Sequence, residues 1–300
     1  LVRIGGIRLR RRGWIGTGAA GALAVLAVWA APSALAINSY HAEPAPERAE
    51  VGALIVQWDD DSDPATPDRV DWTCSGAMLD ANTFLTAGHC TTGYSRNARF
   101  YVSLEQDVRA ALDRAADRHP GDPAAVGAEV GLAGSVHRDP RYPGSSADSH
   151  DMAVIQLPAA ELAARWTFRP ARLPGAGRLD ALGHRALDDT EFLVVGYGSQ
   201  EAVRGPGGHT HPGGGVRMKA PLGFGALNAT RLRLAMKESQ DHGGACYGDS
   251  GGPNFALLNG QWVLVGITVT GDTPCYATNV AYRTDSAAAR AFLSRFVILP

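Results

Sequence analysis

Ser250 lies in Gly248-Asp249-Ser250-Gly251-Gly252-Pro253, a run of small residues that bends the chain and leaves a hydroxyl and its neighbouring backbone N–H groups open to a reacting carbonyl. A serine hydroxyl is a poor nucleophile near neutral pH. It needs a base within hydrogen-bond reach, and the base needs a partner that fixes its tautomer. Two upstream segments supply both residue types: Thr86-Ala87-Gly88-His89-Cys90 and His150-Asp151-Met152-Ala153-Val154. His89 is the candidate base and Asp151 the candidate carboxylate, and with Ser250 they would perform acyl transfer. The N–H groups of Gly248 and Ser250 are the candidate oxyanion donors. Each residue alone has a plain structural explanation, as a turn serine, a solvated histidine or a capping aspartate. The weight rests on their joint occurrence in the order His, Asp, Ser.

That order separates two unrelated hydrolase designs. Gly248-Asp249-Ser250-Gly251-Gly252 also satisfies G-x-S-x-G, but the α/β-hydrolase fold places its histidine after the serine. The last histidine of this chain is His242, so no base follows Ser250.

The elements that must position these residues are mostly strands. The chain has 300 residues with 36 glycines and 18 prolines, and short apolar runs between Gly/Pro-rich turns favour an all-β fold. Val51 to Trp58 reads as a first strand. Cys74 to Leu79, a turn at Asp80-Ala81-Asn82 and Thr83 to Ala87 read as a hairpin ending at His89. Residues 105–118 have helical composition. Ala153 to Leu157, Phe192 to Tyr197 and Trp262 to Thr270 read as strands, and residues 199–215 as a polar loop. Ser286 to Val297 is amphipathic, with Ala289, Phe292, Leu293 and Phe296 at helical spacing and Asp285 as a candidate cap.

Residues 1–36 read as a secretory signal. Arg3, Arg8, Arg10, Arg11 and Arg12 form a basic start, an apolar run follows to Ala31, and Ala34-Leu35-Ala36 fits a small-x-small cleavage site. Arg11-Arg12 is also compatible with twin-arginine export. Leu1 in first place points to a non-standard start or a trimmed chain. The full chain carries 28 basic and 30 acidic residues, so removing the five signal arginines leaves a net charge of −7. This argues against nucleic acid as a partner, because phosphate binding needs a basic face. The expectation is an exported protein with no nucleic-acid partner and no stable membrane association once the signal is gone. Lys219 and Lys237 are the only lysines, a mark of genome composition.

Cys74, Cys90, Cys246 and Cys275 make an even set, as expected for two disulfides in an exported chain. Four cysteines allow three connectivities. Local pairing, Cys74–Cys90 and Cys246–Cys275, is preferred, because each pair braces a segment that carries a candidate catalytic residue. No CxxC argues for zinc, and neither metal nor cofactor is expected. Asp59, Asp61 and Asp63 alternate as in a Ca²⁺ loop but lack its glycine and distal glutamate. His209 and His211 fall in the glycine-rich loop and are expected to be solvated. Asn228-Ala229-Thr230 is a glycosylation sequon, which means little by itself.

Ser75-Gly76, the His89 segment, Asp151-Met152-Ala153-Val154, Val194-Val195-Gly196-Tyr197-Gly198 and the Ser250 hexapeptide occur in the order seen in trypsin/chymotrypsin-type serine proteases. The chain resembles a secreted bacterial member of that family over residues 37–298. The resemblance implies two packed six-stranded antiparallel β-barrels in one domain, residues 37–300, with the site between them and a C-terminal helix. It implies a monomeric serine endopeptidase acting on protein or peptide substrates. The competing expectation is a protease-like binding protein with weak or no activity.

Further roles follow only from the resemblance. Asp249 would pair with a new amino terminus, and cleavage after Ala36 would expose Ile37 for this; a propeptide ending at Glu50 is the alternative. Gly244 and Ala245 would form the base of the specificity pocket, with Gly271 and Val280 as walls. A neutral base speaks against Arg/Lys specificity, and Val280 favours small or medium apolar side chains. Thr268 or Thr270 would support Asp151, unless Val269 takes that position.

Overall fold

The computed structural model describes residues 41–59, 68–144, 150–199 and 202–300. The signal segment, Ile37 and the acidic residues Asp60, Asp61 and Asp63 lie outside the described residues. In the first half, β1 (Glu43–Pro44), β2 (Val51–Trp58), β3 (Arg69–Met78), β4 (Thr83–Thr86) and β5 (Arg99–Ser103) precede helices α1 (Val108–Arg118) and α2 (Pro123–Val130). Then come β6 (Leu132–Ala133), β7 (Ser135–Arg138), β8 (Ala153–Gln156) and helices α3 (Ala159–Arg165) and α4 (Arg178–Asp188). The second half holds β9 (Phe192–Gly196), β10 (Val203–Gly205), β11 (Gly208–Thr210), β12 (Met218–Leu227) and β13 (Arg231–Ala235). It ends with β14 (Pro253–Leu258), β15 (Gln261–Gly271), β16 (Thr278–Arg283) and α5 (Ala287–Leu293).

Two antiparallel barrels account for nearly all the strands. The first sheet runs β6-β5-β2-β3-β4-β8-β7. Its two ends are one piece of chain, because β6 and β7 are separated only by Gly134, whose N–H donates to Phe100 O at 3.0 Å. The sheet therefore closes as six physical strands. The second runs β12-β13-β16-β15-β14-β9 and closes through pairing of β12 with β9, with β1 added outside β12. The two expected six-stranded barrels and the terminal helix are thus present. Closure removes sheet edges, which lets short strands be stable.

Burial runs almost unbroken along several strands, because both faces are covered: β2 is buried from Val51 to Gln57 and β4 throughout. Leu54, Val56, Phe84, Leu85, Val102, Val154 and Ile155 belong to one apolar cluster, and Val194, Ala220, Leu232, Leu234, Val265 and Ala281 to a second. The helical composition of residues 105–118 resolves into α1, capped by Asp107, which accepts from Ala110 N at 2.9 Å. Helix α2 starts the same way at Asp122, with Pro123 at its first position. The polar loop contains a small hairpin, β10 with β11, turning at Gly205 and Gly208.

Helix α5 crosses back to the first barrel. Ala289, Phe292 and Leu293 bury into its core, Phe296 stacks on His137 of β7 at 5.2 Å, and Arg141 donates to Ala288 O at 3.0 Å. Its cap is Ser286, which accepts from Ala289 N at 3.3 Å, not Asp285. Asp285 is drawn away by the buried Arg283 (2.8 Å) and by Leu179 N (2.8 Å).

Candidate active site

His89 and Asp151 come from the first barrel. His89 opens a short 3-10 turn directly after β4, and Asp151 directly precedes β8, the neighbour of β4. Strand pairing alone therefore brings them together. His89 Nδ1 lies 2.7 Å from Asp151 Oδ2, and His89 backbone N donates to Asp151 Oδ1, also at 2.7 Å. Asp151 is fully buried, whereas the imidazole keeps 29% of its side-chain surface. Among the described residues, Asp151 takes its hydrogen bonds from His89 alone. A carboxylate on Nδ1 leaves Nε2 as the nitrogen available for proton exchange.

Ser250 comes from the turn before β14 in the second barrel. Its carbonyl accepts from Ser75 N of β3 at 2.9 Å, and Gly251 packs on Thr86 and Ala87 just ahead of His89. The Cys74–Cys90 disulfide ties β3 to the residue after His89, and Cys90 Sγ lies 3.7 Å from Ser250 O. The structure thus gathers all three residues where the two barrels meet. Gly251 N donates to Thr268 O (2.7 Å) and Thr268 N to Gly252 O (2.9 Å), fixing the turn from the other side.

The turn leaves two donors unused. Among the described residues, the N–H groups of Gly248 and Ser250 have no acceptor, while the amides of Asp249, Gly251 and Gly252 are all engaged. Gly248 has φ +97°, a conformation costly for any other residue, and a methyl group there would overlap the Trp72 ring. Its carbonyl is held by Ser75 Oγ at 2.9 Å, and the same oxygen accepts from Tyr197 N at 2.9 Å. Ser75 is therefore a hydroxyl bridge between the barrels. It stands out in the sequence only as part of Ser75-Gly76, with nothing to signal that role.

Asp249 is wholly buried against Gly196 and Gly198. Its carboxylate accepts from Gly198 N and Cys246 N, both at 2.8 Å, and no cation faces it among the described residues. Burial outweighs these two donors and pushes its pKa up to about 7.

A cavity of about 160 Å³ opens beside Ser250, lined by Ala245, Tyr247, Thr268, Val269, Gly271, Asp272, Asn279 and the Cys246–Cys275 disulfide. Ala245 and Gly271 lie where expected. Gly244 and Val280 do not line it. Gly244 backs onto the Met236 side chain, and Val280 sits on the opposite face of β16 from Asn279 and packs into the core. Adjacent residues of a strand point to opposite faces, so a one-residue shift along β16 exchanges Val280 for Asn279. Polar side chains also line the cavity. Asp272 accepts from Tyr276 N (2.9 Å), Ala277 N (3.0 Å) and Thr278 N (2.6 Å), so its carboxylate folds its own loop. Thr268 does not reach Asp151; its hydroxyl accepts from Asn254 Nδ2 at 3.0 Å.

His211 approaches the Cys246–Cys275 pair and stacks on Tyr247 at 4.1 Å. Oxidised sulfurs offer no thiolate, so this grouping is not a zinc centre.

Two closed barrels with a serine, a histidine and a buried carboxylate converging between them define a trypsin-like serine protease domain. The protein-family model Trypsin matches residues 64–292, and the chain belongs to that family. It is 26% identical over 223 residues to vitamin K-dependent protein C of Mus musculus, covering 69% of this chain and 42% of that protein. It is 24% identical over 246 residues to CLIP domain-containing serine protease B15 of Anopheles gambiae, covering 75% and 63%. Serine protease B4 of the same mosquito is 25% identical over 230 residues, covering 71% and 58%. The matched stretches span less than two thirds of each relative's length.

Proposed function

We propose that the chain is an exported serine endopeptidase of bacterial type that cleaves peptide bonds through an acyl-enzyme. Ser250 Oγ attacks the scissile carbonyl, and His89 Nε2 takes its proton and returns it to the leaving amine. Asp151 holds the tautomer and stabilises the imidazolium, and Gly248 and Ser250 donate to the oxyanion. The observation that carries this reading is the 2.7 Å contact of His89 Nδ1 with a fully buried Asp151, together with two unspent N–H groups flanking the serine.

Residues 1–36 act as a removable signal, and the protease works as a monomer on protein substrates without a trypsin-type preference for Arg or Lys. Among the described residues, no helix is long and apolar enough to cross a membrane. The amine of Ile37 pairs with Asp249 after processing. In support, Glu43 to Val51 is built into the fold. β1 pairs with β12, and the buried Arg217 binds the carbonyls of Ala45 (3.1 Å) and Val51 (2.8 Å). A terminus made at Val51 would discard the β1 pairing and the Ala45 contact.

A fluorophosphonate should label wild-type protein at Ser250 and leave Ser250→Ala unlabelled. Folded wild-type protein that never labels would instead mark a binding protein without catalysis. Amino-terminal sequencing of active protein should begin at Ile37.

A further inference from the structure

The cavity beside Ser250 ends in a buried polar floor that acyl transfer does not use. Asn279 is 1% exposed, yet it lines the cavity and its Oδ1 has no hydrogen-bond partner among the described residues. Its Nδ2 donates to Asn254 Oδ1 at 2.7 Å and approaches Thr268 Oγ1 at 3.4 Å. Asn254, wholly buried, donates in turn to Thr268 Oγ1 at 3.0 Å. Three side chains on three adjacent strands thus lock one another, and one amide end remains unpaired. Buried polar groups in native proteins nearly always have partners, so an exception at a cavity wall points to a ligand atom.

We propose that Asn279 is a specificity-determining residue that selects substrates with a primary carboxamide at P1, the residue whose carbonyl Ser250 attacks; glutamine fits first and asparagine second. The inference rests on the reading of Ser250 as the nucleophile. A carboxamide brings N–H donors to Asn279 Oδ1. An apolar side chain would leave that atom unpaired, and a carboxylate would set lone pair against lone pair. A Lys or Arg side chain would lose its water to a neutral amide, because the Asp272 oxygens are engaged by three backbone N–H groups. Val269, Ala245 and the disulfide supply apolar walls for the methylenes. The longer glutamine side chain reaches deeper into the cavity.

The test uses the full chain as exported and a set of peptide aminocoumarin amides differing only at P1: Gln, Asn, Glu, norleucine, Lys and Arg. Gln should exceed norleucine and Glu in kcat/KM by at least about tenfold, the worth of one buried hydrogen bond. In Asn279→Leu the Gln-to-norleucine ratio should fall to about one or below. Asn279→Asp, which keeps the size and covers the case in which the leucine variant fails to fold, should move preference from Gln to Lys. Fluorophosphonate labelling carries no P1 side chain and reports on Ser250 separately. A flat profile, a wild-type preference for Lys, Arg or norleucine, or variants that lower all substrates alike would overturn the inference while labelling keeps the protease reading intact. Folded protein that neither labels nor cleaves any substrate overturns both.

Discussion

The two barrels contribute halves of the site that differ in how much bonding capacity they have left. On the first-barrel side, Asp151 is buried and both of its oxygens are taken by His89. On the second-barrel side, the N–H groups of Gly248 and Ser250, the charge of Asp249 and the Oδ1 of Asn279 all lack partners among the described residues. The difference teaches how the work is divided. In the proposed mechanism, groups that orient other groups are saturated, whereas groups assigned to a substrate, or to a new amino terminus, are held in place with capacity unspent. Preorganised donors of this kind supply much of the stabilisation of a developing oxyanion.

The comparison is broken most sharply on the saturated side. Asp151→Asn keeps the shape but presents an amide to His89 Nδ1 and favours the wrong tautomer. Peptidase kcat should fall by about 10⁴-fold with a small change in KM. On the unspent side, Gly248→Ala puts a methyl group into Trp72 at a positive φ. Moving that donor should lower kcat by about 10²–10³-fold, while His89 and Asp151 stay as they are. A larger effect from Gly248→Ala than from Asp151→Asn would reverse the ranking of the halves.

Asp249 offers a pH test of the same contrast. Its folded pKa is raised to about 7, above the ordinary carboxylate value, so the folded protein holds this proton more tightly than the unfolded chain does. From this group, stability should be greatest below about pH 4, fall as pH rises towards about 7, and level off above. Denaturation of unprocessed protein, referenced to Asp249→Asn, should show this decline. Processing that supplies a paired amine lowers the pKa and should abolish it. Two smaller effects concern stability alone. Ser75→Ala leaves Gly248 O and Tyr197 N without their hydroxyl and should cost about 1–3 kcal/mol in urea unfolding. Ser286→Ala removes one helix cap and should cost about 1 kcal/mol, with activity kept.

Elements with a strong local pattern are legible in the sequence. Val51 to Trp58 is β2 residue for residue, and Trp262 to Thr270 lies within β15. Both are long apolar strands with clear ends. Helix α4 is not legible, although Leu179, Leu182 and Leu187 have helical spacing, because Gly183 at φ +73° interrupts it. The short strands β6 and β7 carry no pattern of their own and exist because the barrel closes through them. In the site, His89, Asp151 and Ser250 stand out because their chemistry dictates their neighbours. Asn279 does not. No local motif marks it, and a one-residue shift along β16 exchanges it for Val280 on the other face.

Helix α5 gives the order of synthesis a meaning. It is made after every other described element, yet it packs on β7 and latches the loop before Asp151 through Arg141, which also grips Asp139 at 2.8 Å. The first barrel therefore cannot complete its contacts at Arg141 and His137 until α5 has left the ribosome, so its last packing step waits on chain made after both barrels.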